Sequence, residues 1–217
     1  DSLVIRMADR TSIGVPLTGS ADKKEGQIEG GYVHDVEAGL HRWVAILDFK
    51  SMYPSIMIGK NICYTTRVDE GSTDQPDEAE QIHESPTGAR FRNESRRRGM
   101  VPTLLEDLMS QRDVHKAGMR EAKDESKRSY HDQMQYAVKI LMNSFYGVFA
   151  SGFYRFTHRQ LGESITAWAR KNIKTIIHKL GDEGQHVVYS DTDSIFVKTP
   201  VEGVEDPKQA MIDFGHS

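Results

Sequence analysis

The sequence predicts an α+β fold, because long helical patterns are mixed with a few short strands and strands do not alternate regularly with helices. Three helical patterns cover residues 101–129, 130–149 and 161–180. Short apolar strands are predicted directly before Asp48 and on both sides of a tight turn at 190–193. With 217 residues, 37% of them hydrophobic, the chain can bury a core, and its apolar runs are too short to span a membrane.

The helical patterns carry their own start and stop signals. The pattern at 101–129 has apolar residues on one face and Pro102 in its first turn, where a missing backbone N–H is tolerated. The pattern at 161–180 is expected to end at Gly181, because glycine is favoured just beyond a helix C-terminus. The first two patterns adjoin, so we expect two consecutive helices to form a hairpin.

The charge of the chain is strongly segregated. The net charge of −4 by itself argues weakly against a nucleic-acid partner, because such proteins usually carry a basic excess. Residues 69–84 hold seven acids and no Lys or Arg, which predicts an exposed acidic loop. Residues 90–128 hold 11 bases against 7 acids, and residues 139–179 hold 7 bases against one acid. A cationic middle of this kind suits a polyanion, and the alternative is that these charges lie on solvated helix faces.

Three carboxylates lie at the ends of the predicted strands. Asp48 closes the apolar strand that begins at Trp43, and Asp191 and Asp193 lie in the turn of the predicted hairpin. If these strands are neighbours in one sheet, Asp48 and Asp193 can share a divalent cation, and oxygen ligands favour Mg²⁺ or Mn²⁺. The alternative is that the Asp-Thr-Asp-Ser sequence only stabilises a turn through side-chain hydrogen bonds.

The single cysteine, Cys63, excludes an intramolecular disulfide and a cysteine-based zinc site.

Cationic and polar residues recur at helical spacing on both helices of the predicted hairpin. Arg112 and Lys116 are four residues apart on the first helix, and Lys139, Asn143 and Tyr146 form one stripe of the second. Facing each other, the two helices would make a clamp for a triphosphate, because Arg and Lys neutralise phosphate oxygens. The alternative is a helical hairpin whose charges are simply solvated.

Three segments resemble, in order and spacing, the polymerase motifs of the B-family DNA polymerases, and the resemblance extends over nearly the whole chain. They are Asp48–Ile56, Lys139–Gly147 and Tyr189–Ser194. Further segments resemble the family's approach to the first motif and its entry into the fingers, and these are 30–33, 39–40, 85–88 and 99–102.

The resemblance implies a palm with a mainly antiparallel sheet backed by helices, interrupted by an antiparallel helical hairpin that forms the fingers. We therefore expect a first part of the palm at 1–99, which includes the acidic loop, the fingers at 100–151 and a second part of the palm at 152–217. The chain begins at Asp1, so we expect it to be the catalytic middle of a longer protein and to extend primers poorly by itself.

The resemblance also implies roles for individual residues. Asp48 and Asp193 would be the principal ligands of two Mg²⁺ ions, for which Mn²⁺ can substitute, with Asp191 beside them and the Phe49 carbonyl as a further ligand. The nucleotide would be bound by Ser51, Met52, Tyr53, Arg112, Lys116, Lys139, Asn143 and Tyr146.

Within that set, Tyr53 would exclude a ribose 2′-hydroxyl, and Met52 stands where the family usually has leucine. The DNA would be contacted by Gly30, Gly31 and Gly147. Ile28 stands where the family has the tyrosine that precedes the glycine pair.

The implied activity is DNA-templated DNA synthesis, in which a deoxynucleotide is transferred to a primer 3′-hydroxyl by two-metal phosphoryl transfer. The expected partners are primer–template DNA, deoxynucleoside triphosphates, exonuclease and thumb domains of the longer chain, and a sliding clamp bound through other parts, with no membrane. We expect an archaeal protein acting at the chromosome in the cytoplasm, or a nuclear one if the source is eukaryotic. Two other classes stay open: an inactive polymerase-like scaffold, and a palm-type nucleotidyl cyclase or metal-dependent hydrolase.

Overall fold

The computed structural model describes residues 1–17, 27–69, 71, 81–201 and 203–216. Most of the predicted acidic loop at 69–84 lies outside these residues. The elements in chain order are α1 (Ser2–Arg10), β1 (Val33–His34), β2 (Val44–Asp48), α2 (Met52–Gly59), β3 (Arg67–Val68), β4 (Ile82–Glu84), β5 (Arg90–Arg92), α3 (Met100–Glu121), α4 (Glu125–Ala150), α5 (Arg159–Asp182), β6 (His186–Asp191), β7 (Ser194–Lys198) and α6 (Pro207–His216).

The predicted α+β class is confirmed, since the described residues form helices together with two antiparallel sheets. The chain divides into two compact units. We call Asp1–Ile28 with Tyr53–Ile165 the helical unit, and Glu29–Met52 with Thr166–Ser217 the sheet unit. None of the helices in the described part of the chain is long and apolar enough to cross a membrane.

The helical unit is dominated by the α3–α4 hairpin. The two helices are joined by only three residues, Ala122–Asp124, and pack along each other, so they run antiparallel as predicted. Their junction lies earlier than the predicted boundary at 129–130, which was therefore wrong. The Asp124 side chain accepts a hydrogen bond from the Ser126 N–H and caps α4, so the second helix begins at Glu125.

The buried face of the hairpin is apolar. Large side chains on both helices have little or no exposed surface, and they include Leu105, Leu108, Val138, Met142, Phe145 and Phe149. Burying one such side chain contributes about 1.5–3 kcal/mol, so this face fixes the hairpin while its other faces are available for polar residues.

A small sheet of order β3-β5-β4 completes the helical unit. Its central strand β5 carries Phe91, which is fully buried. The loop after α2 is connected to the approach to α3 through Asn61, a fully buried residue whose side chain bonds the backbone at Arg92, Arg97 and Gly99.

The sheet unit contains the larger sheet, with the strand order β1-β6-β7-β2 and antiparallel pairing throughout. The predicted hairpin is β6–β7, and the predicted strand before Asp48 is β2, which pairs with β7. Helix α6 contacts β2. Helix α5 continues through Gly181 to Asp182, two residues beyond the predicted last residue at 180, so the expected stop at Gly181 was wrong. Gly184 (φ 75°) provides the left-handed position after the helix.

Candidate functional site

The strand register of the sheet unit places two of the three predicted carboxylates in one row. Asp48 at the end of β2 lies opposite Ser194 at the start of β7, and Ser194 lies opposite Asp191 at the end of β6. Directly opposed residues of antiparallel strands point to the same face of a sheet, so Asp48 and Asp191 share a face. Both are exposed, and two strand spacings put their Cα atoms about 10 Å apart.

The third carboxylate, Asp193, is joined to this row by the backbone. The Phe49 N–H donates a hydrogen bond of 2.8 Å to the Asp193 carbonyl oxygen, so Asp193 lies directly beside the end of β2. The turn that carries Asp193 is tight: its own N–H donates to the Asp191 carbonyl at 2.6 Å, and Thr192 has a left-handed φ of 51°. Such a conformation is costly for a β-branched residue and is found mainly where the surrounding structure enforces it.

The donors at this strand edge suit Mg²⁺ by their chemistry. The Asp48 and Asp193 carboxylates and the Phe49 carbonyl are hard oxygen ligands, which Mg²⁺ and Mn²⁺ prefer. Among the residues that the structure describes, no three His, Cys, Asp or Glu side chains lie close enough together to form a metal-binding group. The three carboxylates therefore lie along one strand edge, but their side chains do not form a complete set of metal ligands.

In the helical unit, the predicted phosphate-binding residues lie on the α3–α4 hairpin. The Arg112 Nε of α3 donates to the Gln135 Oε1 of α4 at 3.4 Å, and Gln135 lies one helical turn before Lys139. This contact brings Arg112 to the stripe of α4 that continues through Lys139 and Asn143, both of which are exposed. Lys116 lies one turn after Arg112, and both side chains are half-buried.

Two aromatic residues of the predicted nucleotide site are in contact. The ring centroids of Tyr53, in the first turn of α2, and Tyr146, near the end of α4, are 4.9 Å apart with the planes inclined by 52°. A tilted pair at this distance is a favourable aromatic arrangement. The contact joins the first and second motifs within the helical unit.

The turn before α2 offers backbone groups. Ser51 has a left-handed φ of 53°, and the Met52 side chain is only 4% exposed. A ligand at this turn can therefore reach Met52 through its backbone but not through its thioether.

The three predicted DNA-contacting glycines differ in their surroundings. A Cβ atom added at Gly30 or Gly147 would meet nothing within 4 Å, so both backbones are open to a close approach. A Cβ at Gly31 would lie 2.7 Å from the Thr192 Oγ1, so Gly31 is packed against the Asp-Thr-Asp turn.

Two cations that the sequence argument did not single out hold the segment before β1. Arg170 of α5 donates to the carbonyl oxygens of Glu29 and Gly30 at 2.9 and 2.7 Å and also pairs with the Glu29 carboxylate. Lys174, one turn further on, lies 5.0 Å from the centroid of the Tyr32 ring. Their spacing of four residues on one face of α5 was the available sequence signal.

Comparisons with known proteins agree with these motifs. The family description "DNA polymerase family B" matches residues 1–216. The DNA polymerase delta catalytic subunit of Caenorhabditis elegans is 35% identical over 224 residues, which cover 97% of this chain and 20% of that protein. A DNA polymerase of Desulfurococcus sp. (strain Tok) is 37% identical over 186 residues, which cover 85% of this chain and 23% of that protein.

Among solved structures, the family B DNA polymerase of the hyperthermophilic archaeon Pyrobaculum calidifontis matches with a TM-score of 0.71 and 29% identity, over 90% of this chain and 25% of that one. The chain thus spans about a fifth to a quarter of the length of these relatives. Because the family match extends over residues 1–216 and the fold agrees with that of a family member, the chain belongs to DNA polymerase family B.

Proposed function

We propose that this chain is the catalytic-core segment of a DNA-directed DNA polymerase, which adds deoxynucleotides to a primer on a DNA template. The observation that supports the proposal is the strand edge of the sheet unit, along which Asp48, Asp191 and Asp193 lie through the β2–β7–β6 register and the Phe49–Asp193 hydrogen bond. Membership of the family and the polymerase names of its relatives support the same activity.

In the proposed reaction, the primer 3′-hydroxyl loses its proton to solvent, and its oxygen forms a bond to the α-phosphorus of the incoming nucleotide. The bond from that phosphorus to the oxygen bridging to the β-phosphate breaks, and pyrophosphate leaves. Two bound Mg²⁺ ions would lower the pKa of the 3′-hydroxyl and neutralise the leaving phosphates. The contribution of Asp48, Asp193 and the Phe49 carbonyl is to hold those ions at the strand edge, with Asp191 adding negative charge beside them.

A second group of residues would bind the triphosphate of the incoming nucleotide. Arg112, Lys116 and Lys139 supply positive charge on the hairpin, and Arg112 can make paired hydrogen bonds to phosphate oxygens. Asn143 adds an amide donor on the same stripe as Lys139. The Ser51 hydroxyl and the backbone at Met52 are further donors for the β and γ phosphates.

We assign the palm to 1–99 and 152–217 and the fingers to 100–151. The thumb and exonuclease domains of a longer protein would bind the DNA duplex and proofread. Gly30, Gly31 and Gly147 are the proposed contacts to primer–template DNA, for which the open backbones of Gly30 and Gly147 leave room. A sliding clamp would bind outside these 217 residues.

The activity is tested by primer extension with the full-length protein that contains this chain. With Mg²⁺, all four deoxynucleoside triphosphates and a primed template, we expect extension that stops when EDTA removes the metal. The isolated 217 residues are expected to extend the same primer far more slowly. Absence of extension by the full-length protein, despite binding of the template, would favour the alternative of an inactive scaffold.

Replacing Tyr53 with alanine is expected to increase the incorporation of ribonucleotides relative to deoxynucleotides by about tenfold or more. The Tyr53 ring is held against Tyr146, so its removal opens space where a 2′-hydroxyl would lie. Single-nucleotide insertion kinetics with matched dNTP and NTP pairs measure the ratio. Tyr53→Phe keeps the ring and should keep the discrimination, and equal ratios for the wild type and Tyr53→Ala would remove Tyr53 from the sugar-sensing role.

A further inference from the structure

Gly31 lies against the turn that carries Asp191 and Asp193. A Cβ atom at position 31 would be 2.7 Å from the Thr192 Oγ1, 2.9 Å from its Cγ2 and 3.0 Å from its Cβ. Non-bonded carbon atoms pack at about 3.5–4.0 Å, so even an alanine does not fit without displacement. Gly31 has no left-handed φ, so what requires glycine here is space and not backbone conformation.

The backbone on either side of Gly31 is bonded to the same turn. The Thr192 N–H donates to the Tyr32 carbonyl oxygen at 2.9 Å, and Val33 lies opposite Asp191 in the β1–β6 register. The Thr192 hydroxyl in turn donates to the Asp191 Oδ1 at 2.9 Å. Thr192 is therefore held by residues 31–33 through both its side chain and its backbone.

The segment that packs against Thr192 is also bound by two side chains of α5. Arg170 bonds the carbonyl oxygens of Glu29 and Gly30, and Lys174 lies over the Tyr32 ring. Both cations lie on α5, a regular helix of 24 residues. Because α5 holds residues on both sides of Gly31 in sequence, a side chain added at Gly31 could not easily move away from the turn.

We propose that Gly31 is a positioning residue: by packing against Thr192 it sets the conformation of the 191–193 turn and, through it, the place of the Asp191 and Asp193 carboxylates. The left-handed φ of Thr192 (51°) is a conformation that the isolated turn does not favour, and the contacts from 31–33 enforce it. The role is distinct from the template contact proposed for the glycine pair, and it rests on the proposed function of the turn as part of the catalytic site.

Gly31→Ala in the full-length protein tests the proposal. We expect the rate of nucleotide addition at saturating DNA and nucleotide to fall by on the order of 10- to 100-fold, because small displacements of reacting groups have effects of this size. We also expect the Thr192 amide to exchange its hydrogen faster, because its bond to Tyr32 is disturbed. Unchanged exchange in the paired strands β2 and β7, which belong to the same unit as Gly31, would show that this unit is still folded.

Two further variants separate the packing role from DNA contact. Gly30→Ala adds the same methyl group one residue earlier, where nothing lies within 4 Å, so any effect should appear in DNA affinity and leave exchange at Thr192 as in wild type. Thr192→Gly removes the three atoms that lie nearest to the added methyl group and tolerates the left-handed φ. In that background, Gly31→Ala should cause little further loss of rate.

The proposal is overturned if Gly31→Ala lowers the rate of nucleotide addition equally in the wild-type and the Thr192→Gly backgrounds. It is also overturned if Gly31→Ala behaves like Gly30→Ala and changes only DNA affinity. Exchange at Thr192 does not depend on catalysis. A wild-type protein that extends no primer would therefore contradict the proposed function, while wild-type-like exchange at Thr192 in Gly31→Ala would contradict the packing role alone.

Discussion

Replacing Asp193 with asparagine is expected to lower the rate of primer extension by the full-length protein on the order of 10³-fold or more. Asparagine has nearly the same shape but no negative charge, so a divalent cation at the strand edge would lose a principal ligand. Loss of several kcal/mol of charge stabilisation corresponds to a factor of this size. The measurement is single-turnover nucleotide addition at saturating DNA and nucleotide.

The fold should survive this substitution, because the bond that joins Asp193 to Phe49 uses the backbone carbonyl of Asp193 and not its carboxylate. Asp182→Asn is a matched control in the same unit: Asp182 is exposed at the end of α5, and its replacement should leave the rate as in wild type. If Asp193→Asn retained half of the wild-type rate, Asp193 would not be a ligand of a catalytic ion.

The parts of the fold that the sequence predicted are those with a local periodic signal. The apolar run before Asp48 and the runs on both sides of 190–193 became β2, β6 and β7, and the three helical patterns became α3, α4 and α5. The conditional expectation that Asp48 and the hairpin lie in neighbouring strands also agrees with the structure, since β2 pairs with β7. Motif order and spacing were specific enough to indicate the family.

The parts that were missed depend on contacts between distant residues or on competing local signals. Residues 122–130 are mostly compatible with a helix, so periodicity did not reveal that Asp124 caps a new helix there. The strands β3, β4 and β5 have two or three residues each, too few for a period to be recognised. The Gly31–Thr192 contact joins residues about 160 positions apart, and nothing in either local sequence indicates it.

Asn61 shows how such a distant contact supports the elements that carry the proposed nucleotide-binding residues. Its side chain donates to the carbonyl oxygens of Arg92 and Arg97 at 2.7 and 2.8 Å and accepts from the Gly99 N–H at 2.8 Å. Its own backbone has a left-handed φ of 50°, which asparagine tolerates better than most residues. Asn61 follows the C-terminal end of α2, and Tyr53 lies in the first turn of that helix. The Asn61 side chain therefore connects the segment after α2 to Gly99, the residue that precedes α3.

Asn61→Ala is expected to destabilise the chain by on the order of 4 kcal/mol. It leaves three buried or partly buried backbone groups without partners, at about 1–3 kcal/mol each for full burial, and it places alanine at a left-handed φ. Urea unfolding of the 217-residue chain, followed by circular dichroism, measures the loss. Asn61→Gly removes the same hydrogen bonds but accepts the backbone conformation, so it should recover about 1 kcal/mol of that loss.

Asn61→Asp tests whether donation to the two carbonyl groups is what matters. Aspartate can still accept from the Gly99 N–H, but its ionised oxygens would face the carbonyl oxygens of Arg92 and Arg97, so it should be at least as destabilising as alanine at neutral pH. A stable Asn61→Asp variant would mean that the carbonyl groups find other donors. If instead both variants unfold as expected, the start of α3, and with it the placement of Arg112 and Lys116, depends on a single amide outside all three polymerase motifs.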